Sequence, residues 1–252
     1  MSLEARSVSK AYGGFQALDK VSFRVETGAL FGLIGPNGAG KSTLFSVLSG
    51  FLTADSGSVL LDDRAIDNLG APARARSGMV RTFQVPRDFR HLTVRENLMA
   101  AAPGQTGESL VGLFFRPGQV RRQEGEIAAK VEDMMRFLRL SHVADQPAGK
   151  LSGGQKKLVE LGRALMVEPR LILLDEPFAG VNPVLIGEIM ERIRELNARG
   201  IGFLVIEHDL EALSRLVENL AVMDRGRIIG QGVPSAVLDD PIVREAYLGG
   251  AV

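Results

Sequence analysis

Gly35-Pro36-Asn37-Gly38-Ala39-Gly40-Lys41-Ser42-Thr43 is the stretch whose reading decides the fold. It fits the pattern G-x-x-x-x-G-K-[ST] and follows an apolar run, Leu30-Phe31-Gly32-Leu33-Ile34, that reads as a buried strand. Leu44, Val47 and Leu48 continue beyond it at helical spacing. A polyanionic phosphate tail has to be held by backbone N–H groups that converge without side chains in the way, and Gly35, Gly38 and Gly40 permit that approach. Lys41 would place a point charge between the terminal phosphates, and Ser42 would offer its hydroxyl to Mg²⁺. The helix opening near Gly40 would aim its positive end at the same anion. The stretch therefore predicts a nucleoside-triphosphate site built from Gly35, Pro36, Asn37, Gly38, Ala39, Gly40, Lys41, Ser42 and Thr43.

Around that loop, 252 residues suffice for one large α/β domain with an inserted subdomain and a proper core. Lys and Arg number 30 against 30 Asp and Glu, so no overall basic field exists to hold nucleic acid or an acidic membrane surface. The absence of cysteine excludes disulfides, thiolate metal sites and thiol catalysis, and fits a reducing compartment. Met1 to Lys10 lacks the basic start and apolar run of an export signal. Apolar stretches fall short of the roughly 20 residues that a spanning helix needs, so the expectation is a soluble chain, or one bound to a membrane through a partner.

Val21, Phe23 and Val25 alternate in period two, and Ser58-Val59-Leu60-Leu61 reads as another short strand. From about Val85 the character turns helical, with Ile127, Val131, Met134, Met135 and Leu138 on one face. The segment Leu110-Val111-Gly112-Leu113-Phe114-Phe115, after the turn-rich Pro103 to Gly107, is too short to cross a bilayer and reads as packed. The α/β pattern then resumes with Leu171 to Leu174, a helix carrying Leu185, Ile189, Ile193 and Leu196, and a strand from Ile201 to Ile206. A hairpin turned at Asp224-Arg225-Gly226 and helices after Pro234 and Pro241 close the chain. Apolar strands alternating with helices indicate a mainly parallel sheet covered on both faces. The expected organisation is one domain, with a nucleotide-binding core at about 1–84 and 164–252 and a helical subdomain at about 85–163.

A phosphate loop alone does not separate a kinase from a GTPase or a pump motor. Leu171-Ile172-Leu173-Leu174-Asp175-Glu176 delivers two carboxylates at a strand end, where open α/β sheets place ligands. Asp175 suits the Mg²⁺ shell, and Glu176 could orient and activate an attacking water as general base. Adjacent acids at a strand end can also be merely solvated. Leu151-Ser152-Gly153-Gly154-Gln155 opens a helix continued by Leu158, Leu161 and Leu165. Its hydroxyl, bare N–H groups and helix dipole suit an anion, while Ser152-x-x-Gln155 is equally a capping box.

With these motifs the whole chain resembles the ATP-binding cassette (ABC) family of transport ATPases. The resemblance implies a P-loop NTPase core of mainly parallel sheet flanked by helices, an antiparallel β subdomain and an inserted α-helical subdomain that bears the family's signature motif. It implies ATP and Mg²⁺ as ligands, with Ser152, Gly153, Gly154 and Gln155 facing the γ-phosphate bound by a second cassette. Gln84, in Arg81-Thr82-Phe83-Gln84, resembles the family's Q-loop glutamine at the Mg²⁺ and water site. His208, after the strand ending Ile206-Glu207, resembles the switch histidine that bonds the γ-phosphate; His91 and His142 lack such neighbours. Tyr12, in Lys10-Ala11-Tyr12-Gly13-Gly14, is placed like the aromatic that stacks on adenine, although it also suits a core position. Ala179-Gly180-Val181-Asn182 occupies the D-loop, with Asn182 where many members have Asp.

Val80-Arg81-Thr82-Phe83-Gln84, Leu92 to Leu98, the insertion bearing Leu113 to Pro117, Ile206-Glu207-His208-Asp209 and Ala246-Tyr247-Leu248-Gly249 resemble the ATPase of a bacterial branched-chain amino-acid importer. Gly153 departs from that group, which often has a bulkier residue there. Asp175 to Val181 also resembles the lipopolysaccharide-export ATPase, which lacks the segment around Pro103 to Gln123. The importer resemblance implies a peripheral ATPase at the cytoplasmic face of the bacterial inner membrane. Its partners would be a second cassette, the same chain or a paralogue, integral-membrane permease subunits and, indirectly, a solute-binding protein. A soluble ABC ATPase acting on DNA or ribosomes usually has two cassettes or a long coiled-coil insertion, and this chain has neither. A non-hydrolysing subunit conflicts with the presence of Lys41, Gln84, Asp175, Glu176 and His208.

Overall fold

The computed structural model describes residues 1–83, 88–108 and 117–248. Leu110 to Phe115 and Gln84 lie outside the described residues. The chain divides into two compact units, one within Met1–Gln84, Pro169–Ala179 and Ile193–Val252, the other within Val85–Glu168 and Gly180–Arg192.

The first unit carries ten strands among the described residues: β1 Leu3–Tyr12, β2 Phe15–Val25, β3 Leu30–Ile34, β4 Ser56–Leu61, β5 Arg64–Ala65, β6 Met79–Arg81, β7 Leu171–Asp175, β8 Gly202–Ile206, β9 Asn219–Asp224 and β10 Arg227–Gly232. One sheet has the order β10-β9-β3-β8-β7-β6 and the other β2-β1-β4-β5. In the larger sheet all pairs are parallel except the β9–β10 hairpin. Every residue of β3, β7 and β8 is buried, which explains their unbroken apolar sequences. The β9–β10 turn has positive φ at both Arg225 (44°) and Gly226 (80°), matching the right-handed twist of the strands it joins.

The smaller sheet is antiparallel. Its inward residues Leu3, Ala5 and Val8 face Val25, Phe23 and Val21 across the β1–β2 pair. They share one core with Phe31, Leu33, Phe45 and Leu48, and Phe23 stacks on Phe31 at 5.7 Å. The phosphate loop leads into the helix Lys41–Leu48, whose Leu44, Phe45, Val47 and Leu48 enter this core. The far end of that helix is held by Arg74, which is only 3% exposed. Its guanidinium donates to the carbonyls of Val47 (2.8 Å), Leu48 (2.6 Å), Ile66 (2.8 Å) and Leu69 (2.7 Å). A buried cation thus adds donors to carbonyls at the helix end and complements the negative end of the helix dipole.

Among the described residues the second unit holds helices Val94–Met99, Pro117–Phe137 and Gly153–Met166, with 3₁₀ turns at Thr106–Glu108, Ser141–Val143 and Ala148–Lys150. Val131, Met135 and Leu138 are buried along one stripe, while Ile127 and Met134 flank it half-buried. Thr93 begins the first of these helices with a complete capping box to Glu96. Among the described residues no helix is long and apolar enough to cross a membrane. Replacement of Arg74 by Met should remove the hydrogen bonds its guanidinium donates to these four carbonyls and lower stability by about 2–4 kcal/mol, read as a fall in the urea midpoint at unchanged slope.

Candidate nucleotide site

The phosphate loop leaves β3 at Ile34 and closes on the helix at Lys41. Gly40 is the N-cap, with φ of 101°, and a Cβ there would sit 2.5 Å from the carbonyl oxygen of Ala17, so only glycine fits. Lys41 is buried, and its Nζ donates to the carbonyls of Gly35 (2.7 Å) and Pro36 (3.0 Å). Burial pushes its pKa below the usual lysine value, against the opposing pull of Glu176 and Asp175. The ammonium is thus already inside the loop it would serve, with two carboxylates in its field. Ser42, one residue on, is exposed in the first turn.

Asp175 ends β7 and is buried. Its Oδ2 accepts from Arg81 Nη2 at 2.8 Å, both side chains being under a tenth exposed. Arg81 also donates to the hydroxyls of Ser46 and Ser49 (3.2 Å each) and lies 5.4 to 6.0 Å from the rings of Phe83, Phe45 and Phe51. The pair therefore ties the end of β7 to β6 and to the helix that follows the phosphate loop. A cation inside the short strand Met79-Val80-Arg81 is the signal that could have exposed this role in the sequence, since a strand buried in a parallel sheet is normally apolar.

Glu176 is the first residue past β7. Its φ of 49° is left-handed, a conformation that costs free energy at a non-glycine residue and occurs mainly where surroundings enforce it. Here its N–H is held by the carbonyl of Ile206 (2.9 Å), and its Oε1 meets His208 Nε2 at 2.9 Å. Glu207, between Ile206 and His208, is buried and accepts the backbone N–H groups of Phe178 (2.6 Å) and His208 (3.1 Å). Burial drives its pKa above the ordinary carboxylate value, with those backbone donors opposing. It clamps the loop after β7 to the loop after β8, a role not read from the sequence although an acid closing a wholly apolar strand is a visible anomaly.

Tyr12 is exposed at the end of β1, with the Lys10 ammonium 5.9 Å from its ring centre, so the core alternative does not hold. Phe15 pairs with it across the Gly13-Gly14 turn and is still more exposed. The hairpin thus presents two aromatic rings rather than the single one expected. Gln84 is outside the described residues.

Ser152, Gly153, Gly154 and Gln155 lie in the second unit. Both halves of the capping box are present: Gln155 N–H donates to Ser152 Oγ (3.3 Å), and Ser152 N–H to Gln155 Oε1 (3.0 Å). A Cβ at Gly154 would lie 1.9 Å from Leu185 Cδ2, so a larger residue there would force the Leu185 side chain to move. At Gly153 it would lie 3.2 Å from the Gly180 carbonyl. Asn182 caps the following helix through Leu185 N–H (3.0 Å).

A family model described as ABC transporter matches residues 18–179, which include the loop, the capping-box stretch and the paired carboxylates. The chain belongs to the ABC transporter family. It is therefore a nucleotide-binding cassette and an ATPase. A second model, described as branched-chain amino acid ATP-binding cassette transporter, matches residues 227–252. A protein of Methanocaldococcus jannaschii, a probable branched-chain amino acid transport ATP-binding protein LivG, is 43% identical over 98% of this chain and 97% of its own. The lipopolysaccharide export system ATP-binding protein LptB of Acidithiobacillus ferridurans is 38% identical over 98% of this chain and 96% of its own. The crystal structure of a nucleotide-free ATP-binding cassette matches with a TM-score of 0.85 at 43% identity, covering 98% of this chain and 99% of that one.

The Ser42 hydroxyl and the Asp175 carboxylate are hard oxygen donors, the kind that fits Mg²⁺ rather than a softer metal. Among the described residues no cluster of three or more acidic, histidine or cysteine side chains forms a cage for a metal ion by itself. If Arg81 holds the Asp175 carboxylate, Arg81→Met should cost about 3–5 kcal/mol by leaving a buried charge unpaired. Adding Asp175→Asn should return much of that loss, so a double-mutant cycle by urea denaturation should show strong non-additivity.

Proposed function

We propose that the cassette is the motor of a branched-chain amino-acid importer, binding ATP with Mg²⁺ at Gly35 to Thr43 and hydrolysing it with Glu176 as general base. The observation that carries the catalytic assignment is the 2.9 Å pair between Glu176 and His208, set at the ends of two adjacent parallel strands in the field of Lys41. Lys41 draws on the terminal phosphates, and Ser42 and Asp175 hold Mg²⁺. The ion, when bound, neutralises charge developing between the β- and γ-phosphate oxygens. Glu176 takes a proton from the attacking water through a carboxylate oxygen. His208 orients that carboxylate and bonds the γ-phosphate, and Gln84, by its resemblance to the family's Q-loop glutamine, would help to hold Mg²⁺ and the water. Tyr12, with Phe15 beside it, stacks on the base.

A second cassette, this chain or a paralogue, supplies Ser152, Gly153, Gly154 and Gln155 to the γ-phosphate. Its helix N-terminus and bare N–H groups are suited to that anion while the capping box keeps the turn in shape. The helical part at about 85–163 passes closure to integral-membrane permease subunits. ATP favours the closed pair and hydrolysis releases it, a shift of population between two states. The cassette works at the cytoplasmic face of the bacterial inner membrane, held there by the permease, with a solute-binding protein delivering cargo outside. The match of residues 227–252 to the branched-chain model and the 43% identity to LivG favour import over lipopolysaccharide export, whose relative is 38% identical.

Glu176→Gln should lower ATP turnover by about 10²–10⁴-fold and, with ATP and Mg²⁺, accumulate a dimer by light scattering; an unchanged rate removes the general-base assignment. Reconstituted with the permease subunits that co-purify with it, the cassette should drive ATP-dependent uptake of labelled leucine into vesicles. No uptake removes the substrate class.

A further inference from the structure

Beyond Asp175 and Ile206 the parallel ladder of β7 and β8 stops, and the two chains part while still presenting Glu176 and His208 to each other. One backbone bond prolongs the pairing, from Glu176 N–H to the Ile206 carbonyl at 2.9 Å. The next link is made by a side chain. Glu207 follows the five buried residues of β8 and is itself only 3% exposed, so its carboxyl group lies in the interior. Its two oxygens go to different chains: Oε1 accepts from Phe178 N–H at 2.6 Å, and Oε2 from His208 N–H at 3.1 Å. Phe178, two residues past Glu176, is buried and anchors the far side of the link. Glu176, whose φ of 49° costs free energy, thus sits between two fixed points, Asp175 paired on β8 and Phe178 bonded to Glu207. The two donors also account for the acid. A carboxylate accepts at both oxygens, whereas an amide of the same shape offers one oxygen and turns its NH₂ toward the remaining N–H.

We propose that Glu207 is a positioning residue for ATP hydrolysis: by spanning Phe178 N–H and His208 N–H it sets the separation of the loops after β7 and β8, and so holds the Glu176 carboxylate and the His208 ring at their 2.9 Å contact. This role rests on the reading of Glu176 as general base. Burial of a carboxylate is costly, and here it fixes the place of a second carboxylate whose rate contribution depends on position to within about 1 Å. Glu207 acts through Glu176 and His208, so its effect falls on turnover rather than on affinity for ATP.

The test uses the full-length chain with ATP and Mg²⁺ and four proteins: wild type, Glu207→Gln, Glu176→Gln and the double variant. Glu207→Gln should lower turnover at saturating ATP about 10- to 100-fold, while its affinity for a fluorescent ATP analogue stays within about twofold of wild type. In the Glu176→Gln background, followed in single turnover with protein in excess over labelled ATP, the same substitution should change the rate by less than about threefold, because the base whose place it fixes is already gone. A general loss of structure would instead slow both backgrounds alike and weaken binding. Unchanged turnover in Glu207→Gln, or an equal fold-loss in the two backgrounds, overturns the inference. Wild-type turnover in Glu176→Gln overturns the general-base reading itself, a result distinct from either. Should Glu207→Gln fail to fold, Glu207→Asp carries the same comparison with the same deciding outcomes, since its carboxylate keeps the charge but is one methylene too short to span both N–H groups.

Discussion

Ile206 pairs with Leu33 on one side and with Asp175 on the other, and the candidate site depends on that double register. It brings the ends of β3, β7 and β8 to one level, so that the phosphate loop, the two carboxylates and His208 all leave the sheet together. Open parallel sheets bind ligands at this edge because every strand ends there in the same direction. A shift of one residue would reverse the faces of a fully buried strand and move Asp175 out of the field of Lys41. The apolar packing of Leu173, Leu204, Phe203 and Leu33, all fully buried, is what prevents such a shift.

The same edge carries a concentration of buried polar groups. Lys41, Asp175 and Glu207 are each under a tenth exposed, as is the side chain of Arg81. Each would be costly alone, since desolvation of a charge is repaid only by well-placed partners. Here Arg81 meets Asp175, Lys41 meets two carbonyls, and Glu207 meets two backbone N–H groups. The left-handed backbone at Glu176 belongs to the same pattern, because Ile206 and Glu207 hold the loops on either side of it. The arrangement gives up stability to fix where carboxylate oxygens point, which is the currency of positioning in phosphoryl transfer.

Ser152 to Gln155 carries two readings of one motif, of which the structure shows the capping box. The capping box is fully formed, and the absence of a Cβ at Gly154 leaves room for the Leu185 side chain whatever the ligand. Neither fact consumes the positive end of the helix Gly153–Met166. A cap that orders the first turn leaves other first-turn N–H groups free of it, so the proposed anion recognition and the cap do not exclude each other.

The sequence by itself determined the phosphate loop, the buried strands, the carboxylates at the end of β7, the capping box at Ser152 and Gln155, and the amphipathic stripe through Val131, Met135 and Leu138. These depend on neighbouring residues: loop sterics, period-two or helical spacing, and caps that span three positions. Tyr12 was correctly singled out, but its exposure and its pairing with Phe15 needed the hairpin register. Only the tertiary structure decided that Arg81 grips Asp175 across 94 positions, that His208 meets Glu176 across 32, and that Glu207 clamps two loops. The physical reason is that such contacts follow from strand order and packing, which no local pattern of side chains records, whereas backbone cradles and caps are written in consecutive residues.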